Sequence, residues 1–159
     1  MWHIRTILVP TDFSDGATQA LQVARSLARD HQAKLVLMSA PLPPPTAPEV
    51  YVPITDFAGL TEGCRGQLTQ LAQSTPDIPV ETAVSLGLPG PSIVDSASRH
   101  HADLIVMGSH GRSGLRRLLL GSVAEYVLRN ASCPVLTIKP STVDHLCHQQ
   151  ECSLSASGS

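Results

Sequence analysis

The feature that most constrains this chain is an alternation of short, unbroken apolar runs with stretches whose apolar residues recur every three or four positions. Residues 6–9 (Thr-Ile-Leu-Val) form the first run, closed by Pro10-Thr11-Asp12-Phe13-Ser14-Asp15. Continuous hydrophobicity is what a parallel strand covered on both faces requires. Ser14 or Asp15 then caps a predicted helix carrying Ala17, Ala20, Leu21, Ala24, Leu27 and Ala28 on one face. Residues 34–40 (Lys-Leu-Val-Leu-Met-Ser-Ala) repeat the strand pattern, and 41–53, with six of the thirteen prolines, read as a loop.

The alternation continues to the end of the patterned region. Residues 56–73 place Phe57, Leu60, Cys64, Leu68, Leu71 and Ala72 at helical spacing. Gly59, Gly63 and Gly66 weaken that helix by up to about 1 kcal/mol each. Residues 80–86 alternate like an edge strand with one wetter face, and Gly87-Leu88-Pro89-Gly90-Pro91-Ser92 turn into a helix reaching about residue 101. Strands at 103–107 and 134–138 flank a helix at 122–130.

Five strands joined by right-handed helical crossovers predict an α/β fold: a doubly wound, open, parallel five-stranded sheet of order 3-2-1-4-5 with helices on both faces. Such sheets take ligands outside the carboxyl ends of the strands at the switch point, here the crevice between strands one and four. With 159 residues the chain has room for one domain, drawn over 1–140, followed by a polar tail at 141–159.

Composition removes several partner classes. Eleven Lys and Arg against thirteen Asp and Glu leave a net charge of −2, which offers no field for a nucleic-acid backbone or an anionic membrane. Five aromatic residues do not make a base-stacking platform for single strands. No apolar run approaches the roughly 20 residues that span a bilayer, and no secretory leader can be drawn over the first residues. The expectation is a soluble, cytoplasmic protein. Cys64, Cys133, Cys147 and Cys152 contain no CxxC pair, so reduced thiols are expected, with Cys64 and Cys133 as small core residues. His145, Cys147, His148 and Cys152 carry metal-ligating side chains in a spacing that matches no established zinc motif.

The candidate site follows strand four: Gly108-Ser109-His110-Gly111, then Arg112-Ser113-Gly114-Leu115-Arg116-Arg117, and Gly121-Ser122-Val123 opening a helix. Glycines permit positive φ and close approach to backbone N–H groups, and a helix N-terminus suits an anion, so the loop has the makings of a phosphate cradle. Its plain alternative is a glycine-rich turn with capping duties. Arg112, Arg116 and Arg117 complement a triphosphate or line a solvated face. Asp12, at the end of strand one, either meets a ligand or caps the next helix together with Ser14. His110 has no carboxylate adjacent in sequence to orient it as a base. A dinucleotide fingerprint would follow strand one, where Pro10-Thr11-Asp12 stand instead. The Walker lysine is absent, and Gly111-Arg112-Ser113-Gly114-Leu115 breaks the nucleophile-elbow pattern.

Gly108, Gly111, Gly121 and Ser122 meet the spacing G-x2-G-x9-G-[ST], and with it the chain resembles the universal stress proteins, specifically their ATP-binding branch. Ile-Leu-Val-Pro-Thr-Asp-Phe-Ser at 7–14, Asp-Leu-Ile-Val-Met-Gly-Ser-His-Gly at 103–111 and Ser-Cys-Pro-Val-Leu-Thr-Ile at 132–138 extend the resemblance over roughly residues 3–140. It implies that Pro10, Thr11 and Asp12 line the nucleoside side, that Ala40 and Met107 flank the base, and that Gly108, Gly111, Arg112, Gly121, Ser122 and Val123 surround ribose and phosphates. Ser39-Ala40-Pro41 departs from the His-Val pair usual in the family. The implied ligand is ATP with Mg2+ or Mn2+ held mainly by the phosphates, with no metal ligand from protein side chains and no catalytic residue. The implied role is that of a nucleotide-responsive stress or regulatory factor. A slow ATPase or phosphotransferase, or a nucleotide-free interaction module, are the alternatives. Strand five, apolar and at the sheet edge, is where a homodimer would form.

Overall fold

The computed structural model describes residues 3–42, 54–109 and 120–139, with side chains from residue 58 in the second of these segments. The elements run β1 (Thr6–Pro10), α1 (Asp15–His31), β2 (Lys34–Ser39), α2 (Ile54–Gln73), β3 (Val80–Val84), α3 (Pro89–Arg99), β4 (Leu104–Gly108), α4 (Ser122–Asn130) and β5 (Val135–Ile138). The strands form one sheet of order β3-β2-β1-β4-β5 with every pair parallel. The expected fold class is therefore the observed one. Most of the proline-rich stretch and the tail from 141, with His145, Cys147, His148 and Cys152, lie outside the described residues.

The unbroken apolar runs are explained by two cores, one on each face of the sheet. Successive side chains of a strand point to opposite faces. Ile7 and Val9 of β1, Leu35 and Leu37 of β2, and Val106 of β4 accordingly join α1 and Leu68 of α2 in one core. Their in-between neighbours Leu8, Val36, Met38, Ile105 and Met107 join Ile93 and Ala97 of α3 and Ala124 and Val127 of α4 in the other. Polar residues in the central strands would break one of the two cores; at the sheet edge β3 exposes the successive residues Glu81 and Thr82, so the alternation expected of it is not seen. At the opposite edge, β5 leaves Leu136 exposed.

Several boundaries differ from expectation for local reasons. β3 ends at Val84, and the chain then turns through Gly87, whose φ of 139° is open to glycine alone. α3 stops at Arg99, with His101 at a φ of 50°. α2 holds together despite its glycines because tertiary packing outweighs propensity. Leu68 is fully buried, and Arg25 of α1 donates to the Leu71 carbonyl (3.3 Å) and to Ser74 Oγ (2.6 Å) at the helix's far end. Cys64 and Cys133 are half-buried rather than core residues. Cys133 packs against the second core, where desolvation pushes its thiol pKa up. Among the described residues no helix is long and apolar enough to cross a membrane.

Candidate functional site

The carboxyl ends of β1, β2 and β4 open into a cavity of about 650 Å³. That lies within the roughly 300–1,000 Å³ of small-molecule sites. Its floor is the top of the sheet, and its walls come from both helical layers.

The β1 side is a turn closed by its own side chains. Thr11 N–H donates to the Met38 carbonyl at 2.8 Å, carrying the β1–β2 pairing one residue past the strand. Thr11 Oγ1 accepts from Phe13 N–H (3.0 Å), and Asp12 Oδ1 accepts from Ser14 N–H (3.1 Å) and from the Ser14 hydroxyl (2.5 Å). These bonds hold Phe13 in the left-handed region at a φ of 62°, a conformation a bulky residue adopts only when its surroundings impose it. Ser14 in turn caps α1 by accepting from Ala17 N–H. Of the two roles open to Asp12, the structure shows the capping one, and it also puts Asp12 in the cavity wall.

The β4 side is built differently. Ser109 N–H donates to the Ile138 carbonyl (2.9 Å), and the Ser109 carbonyl accepts from Gly121 N–H (2.7 Å). This clasp brings Gly121 and Ser122 back beside Gly108, although ten residues and more separate them in sequence. Gly121 is the N-cap of α4 at φ −73° and ψ 154°, ordinary extended backbone, so positive φ is not what a glycine supplies here. What it supplies is the lack of a side chain: α4 has no side-chain cap. Its first N–H groups are the unpaired donors that every helix start carries. Gly121, Ser122, Val123 and Ala124 all line the cavity.

Pro10, Thr11, Asp12, Ala40 and Met107, together with Gly108, Gly121, Ser122 and Val123, are thus assembled around one space. Gly111 and Arg112, with His110, Arg116 and Arg117, lie outside the described residues. Ala40 lies just past the end of β2 rather than inside it. Sequence reasoning missed Phe13, the α3 residues Pro89 and Ile93, and the α2 wall of Gly59, Leu60, Gly63, Cys64 and Gln67. Their spacing puts Gly59 and Gly63 on one helix face but does not say that this face meets the cavity. Among the described residues no group of three or more His, Cys, Asp or Glu side chains is arranged to hold a metal ion.

A family model described as the Universal stress protein family matches residues 3–139. The chain belongs to the universal stress protein family. Universal stress protein MJ0531 of Methanocaldococcus jannaschii is 33% identical over 150 residues, spanning 85% of this chain and 82% of the relative. The solved structure of the protein MJ0577, of the same organism, is 29% identical, with a TM-score of 0.73 over 86% of this chain and 96% of its own. A universal stress protein solved in complex with cAMP is also 29% identical, with a TM-score of 0.60 over 87% of this chain and 99% of its own. In this universal stress protein the cavity sits at the switch point between β1 and β4, where a doubly wound sheet receives its ligands.

Proposed function

We propose that this universal stress protein binds ATP in the switch-point cavity and works in the cytoplasm as a nucleotide-responsive stress or regulatory factor. The observation that carries the reading is the start of α4. No side chain of a described residue caps it, and it lines a cavity that the apolar residues Ala40, Met107 and Ile93 also line. Unpaired N–H groups at the positive end of a helix dipole suit a phosphate, and apolar walls suit a nucleobase and sugar. Gly108, Gly121 and Ser122 are the motif positions that meet the ribose and phosphates on this reading, with Gly111 and Arg112 completing the loop. Pro10, Thr11 and Asp12 take the nucleoside side. Mg2+ or Mn2+ enters on the phosphates. The related universal stress protein solved with cAMP supports an adenine nucleotide as the ligand class.

The test is calorimetric titration with ATP and magnesium, paired with mass spectrometry of nucleotide released from freshly purified, denatured protein. Saturable binding and recovered ATP are the expected results. Recovered ADP would favour the slow ATPase, and no binding with no recovered nucleotide would leave an interaction module. We further propose a homodimer through β5, whose exposed Leu136 stands on an edge strand with unpaired backbone groups. Light scattering should give about twice the 16.9 kDa chain mass, and a mass of one chain at every dilution would refute it.

A further inference from the structure

We infer that Gln67 on α2 reads the base of the bound nucleotide, pairing its carboxamide with the 6-amino group and an adjacent ring nitrogen of adenine. This rests on the nucleotide reading and concerns the end of the cavity away from the phosphates. α4 belongs to the layer packed with Leu8, Val36 and Ile105, and α2 to the opposite layer packed with Ile7, Val9 and Leu35. The cavity therefore crosses the top of the sheet, with the anion-binding donors of α4 in one layer and the α2 wall in the other.

The chemistry of that wall is unsuited to phosphate and suited to a flat heterocycle. Its residues Gly59, Leu60, Gly63, Cys64 and Gln67 are uncharged. The charged α2 neighbours Glu62 and Arg65 lie outside the wall and face each other at 3.7 Å. Gly59 and Gly63, one turn apart, present bare backbone: a Cβ added at either would meet no atom within 4 Å. A planar ring can lie against such a surface where a side chain would hold it off. One turn beyond Gly63 stands Gln67, an exposed residue that lines the cavity. A carboxamide carries an acceptor and two donors, so it pairs with a base edge that offers a donor beside an acceptor, as adenine does. Cys64 is a weak donor by comparison.

The test is a two-by-two titration: ATP and its analogue lacking the 6-amino group, each against the unmodified protein and Gln67→Ala. Removing the 6-amino group should weaken binding to the unmodified protein about tenfold, the size of one hydrogen bond, and leave binding to Gln67→Ala nearly unchanged. Equal losses in both proteins, or no loss in the unmodified one, would overturn the inference. No binding of either nucleotide by the unmodified protein would instead overturn the nucleotide reading beneath it. Gly63→Leu supplies a second check. Leucine favours helix over glycine, so the thermal midpoint should not fall, while the side chain occupies the base's place and ATP affinity drops by about tenfold or more. Retained affinity in Gly63→Leu would place the base elsewhere.

Discussion

Two helices begin at the rim of the same cavity, and they begin in opposite ways. α1 starts behind Ser14, whose hydroxyl accepts from Ala17 N–H and is itself held by Asp12. α4 starts behind Gly121, which has no side chain to offer. Both helix starts carry the same kind of orphan donors and the same dipole, yet among the described residues only α1 has one of them answered by a side chain. A helix N-terminus is therefore a poor indicator of an anion site by itself. The informative feature is a start left open where it faces a cavity, and α4 has both properties.

The largest expected effect comes from making α4 resemble α1. Gly121→Asp would cap the helix with a carboxylate and set a negative charge where the phosphates belong. Charge-assisted hydrogen bonds are worth about 1.5–3 kcal/mol each, so ATP affinity should fall about a hundredfold or more while the fold is kept. The backbone at Gly121 is extended, a conformation aspartate adopts without strain, and circular dichroism should show unchanged helix content. Calorimetric affinity equal to that of the unmodified protein would mean that α4 is not the anion site.

Ser122→Ala sharpens the comparison by removing a hydroxyl and sparing the backbone donors. The loss of one hydrogen bond worth roughly 0.5–1.5 kcal/mol corresponds to at most about tenfold in affinity. A loss as large as that of Gly121→Asp would shift the recognition from the helix start to that side chain.

Ser14→Ala should act in the other currency. Deleting an N-cap costs about 1 kcal/mol. For a domain of this size that lowers the thermal midpoint by about 3 °C. ATP affinity should change less than in either α4 variant, and a large drop in affinity with an unchanged midpoint would show that the β1 turn binds ligand instead of closing itself.

The smallest effect lies at the far end of the sheet. Glu81, exposed at the start of β3, has its pKa lowered mainly by the hydrogen bond from Lys34 Nζ (2.8 Å). A depressed carboxylate pKa adds stability that is present above the unfolded value, near 4.5, and fades as the pH falls through the folded value. Glu81→Gln should lower the thermal midpoint slightly near neutrality, by less than Ser14→Ala does, and the difference from the unmodified protein should shrink as the pH falls below about 4.5. A neutral-pH loss as large as that of Ser14→Ala would show that this exposed pair does more than surface pairs ordinarily do.

The sheet was legible in the sequence because its central strands are buried on both faces, so Ile7, Leu8 and Val9 leave no ambiguity about where β1 lies. Their edges were harder. β3 ends at Val84, before the backbone turns at Gly87, and its exposed Glu81 and Thr82 carry little pattern. The part of the site next to strand ends was legible for a related reason: Asp12, Gly108 and Gly121 are placed by the strands and by the clasp at Ser109. The α2 wall was not. Whether Gly63 and Gln67 face the cavity depends on how α2 is anchored, by Leu68 in the core and by Arg25 at its far end, and those contacts join residues more than forty positions apart. Read locally, the α2 glycines signified only a weakened helix. At Gly121 the residue type was informative but for another reason than conformational freedom, since what counts there is a missing cap.

The most direct measurement is an amide nitrogen–proton NMR titration of the full chain with ATP and magnesium. Backbone N–H groups that take up a phosphate shift strongly, whereas donors already answered by a side chain do not. The amides of Ser122, Val123 and Ala124 at the start of α4 should move most, and that of Ala17, bonded to Ser14, should move least among the helix starts around the cavity. Shifts centred on the start of α1, with α4 unmoved at saturating ATP, would contradict the account.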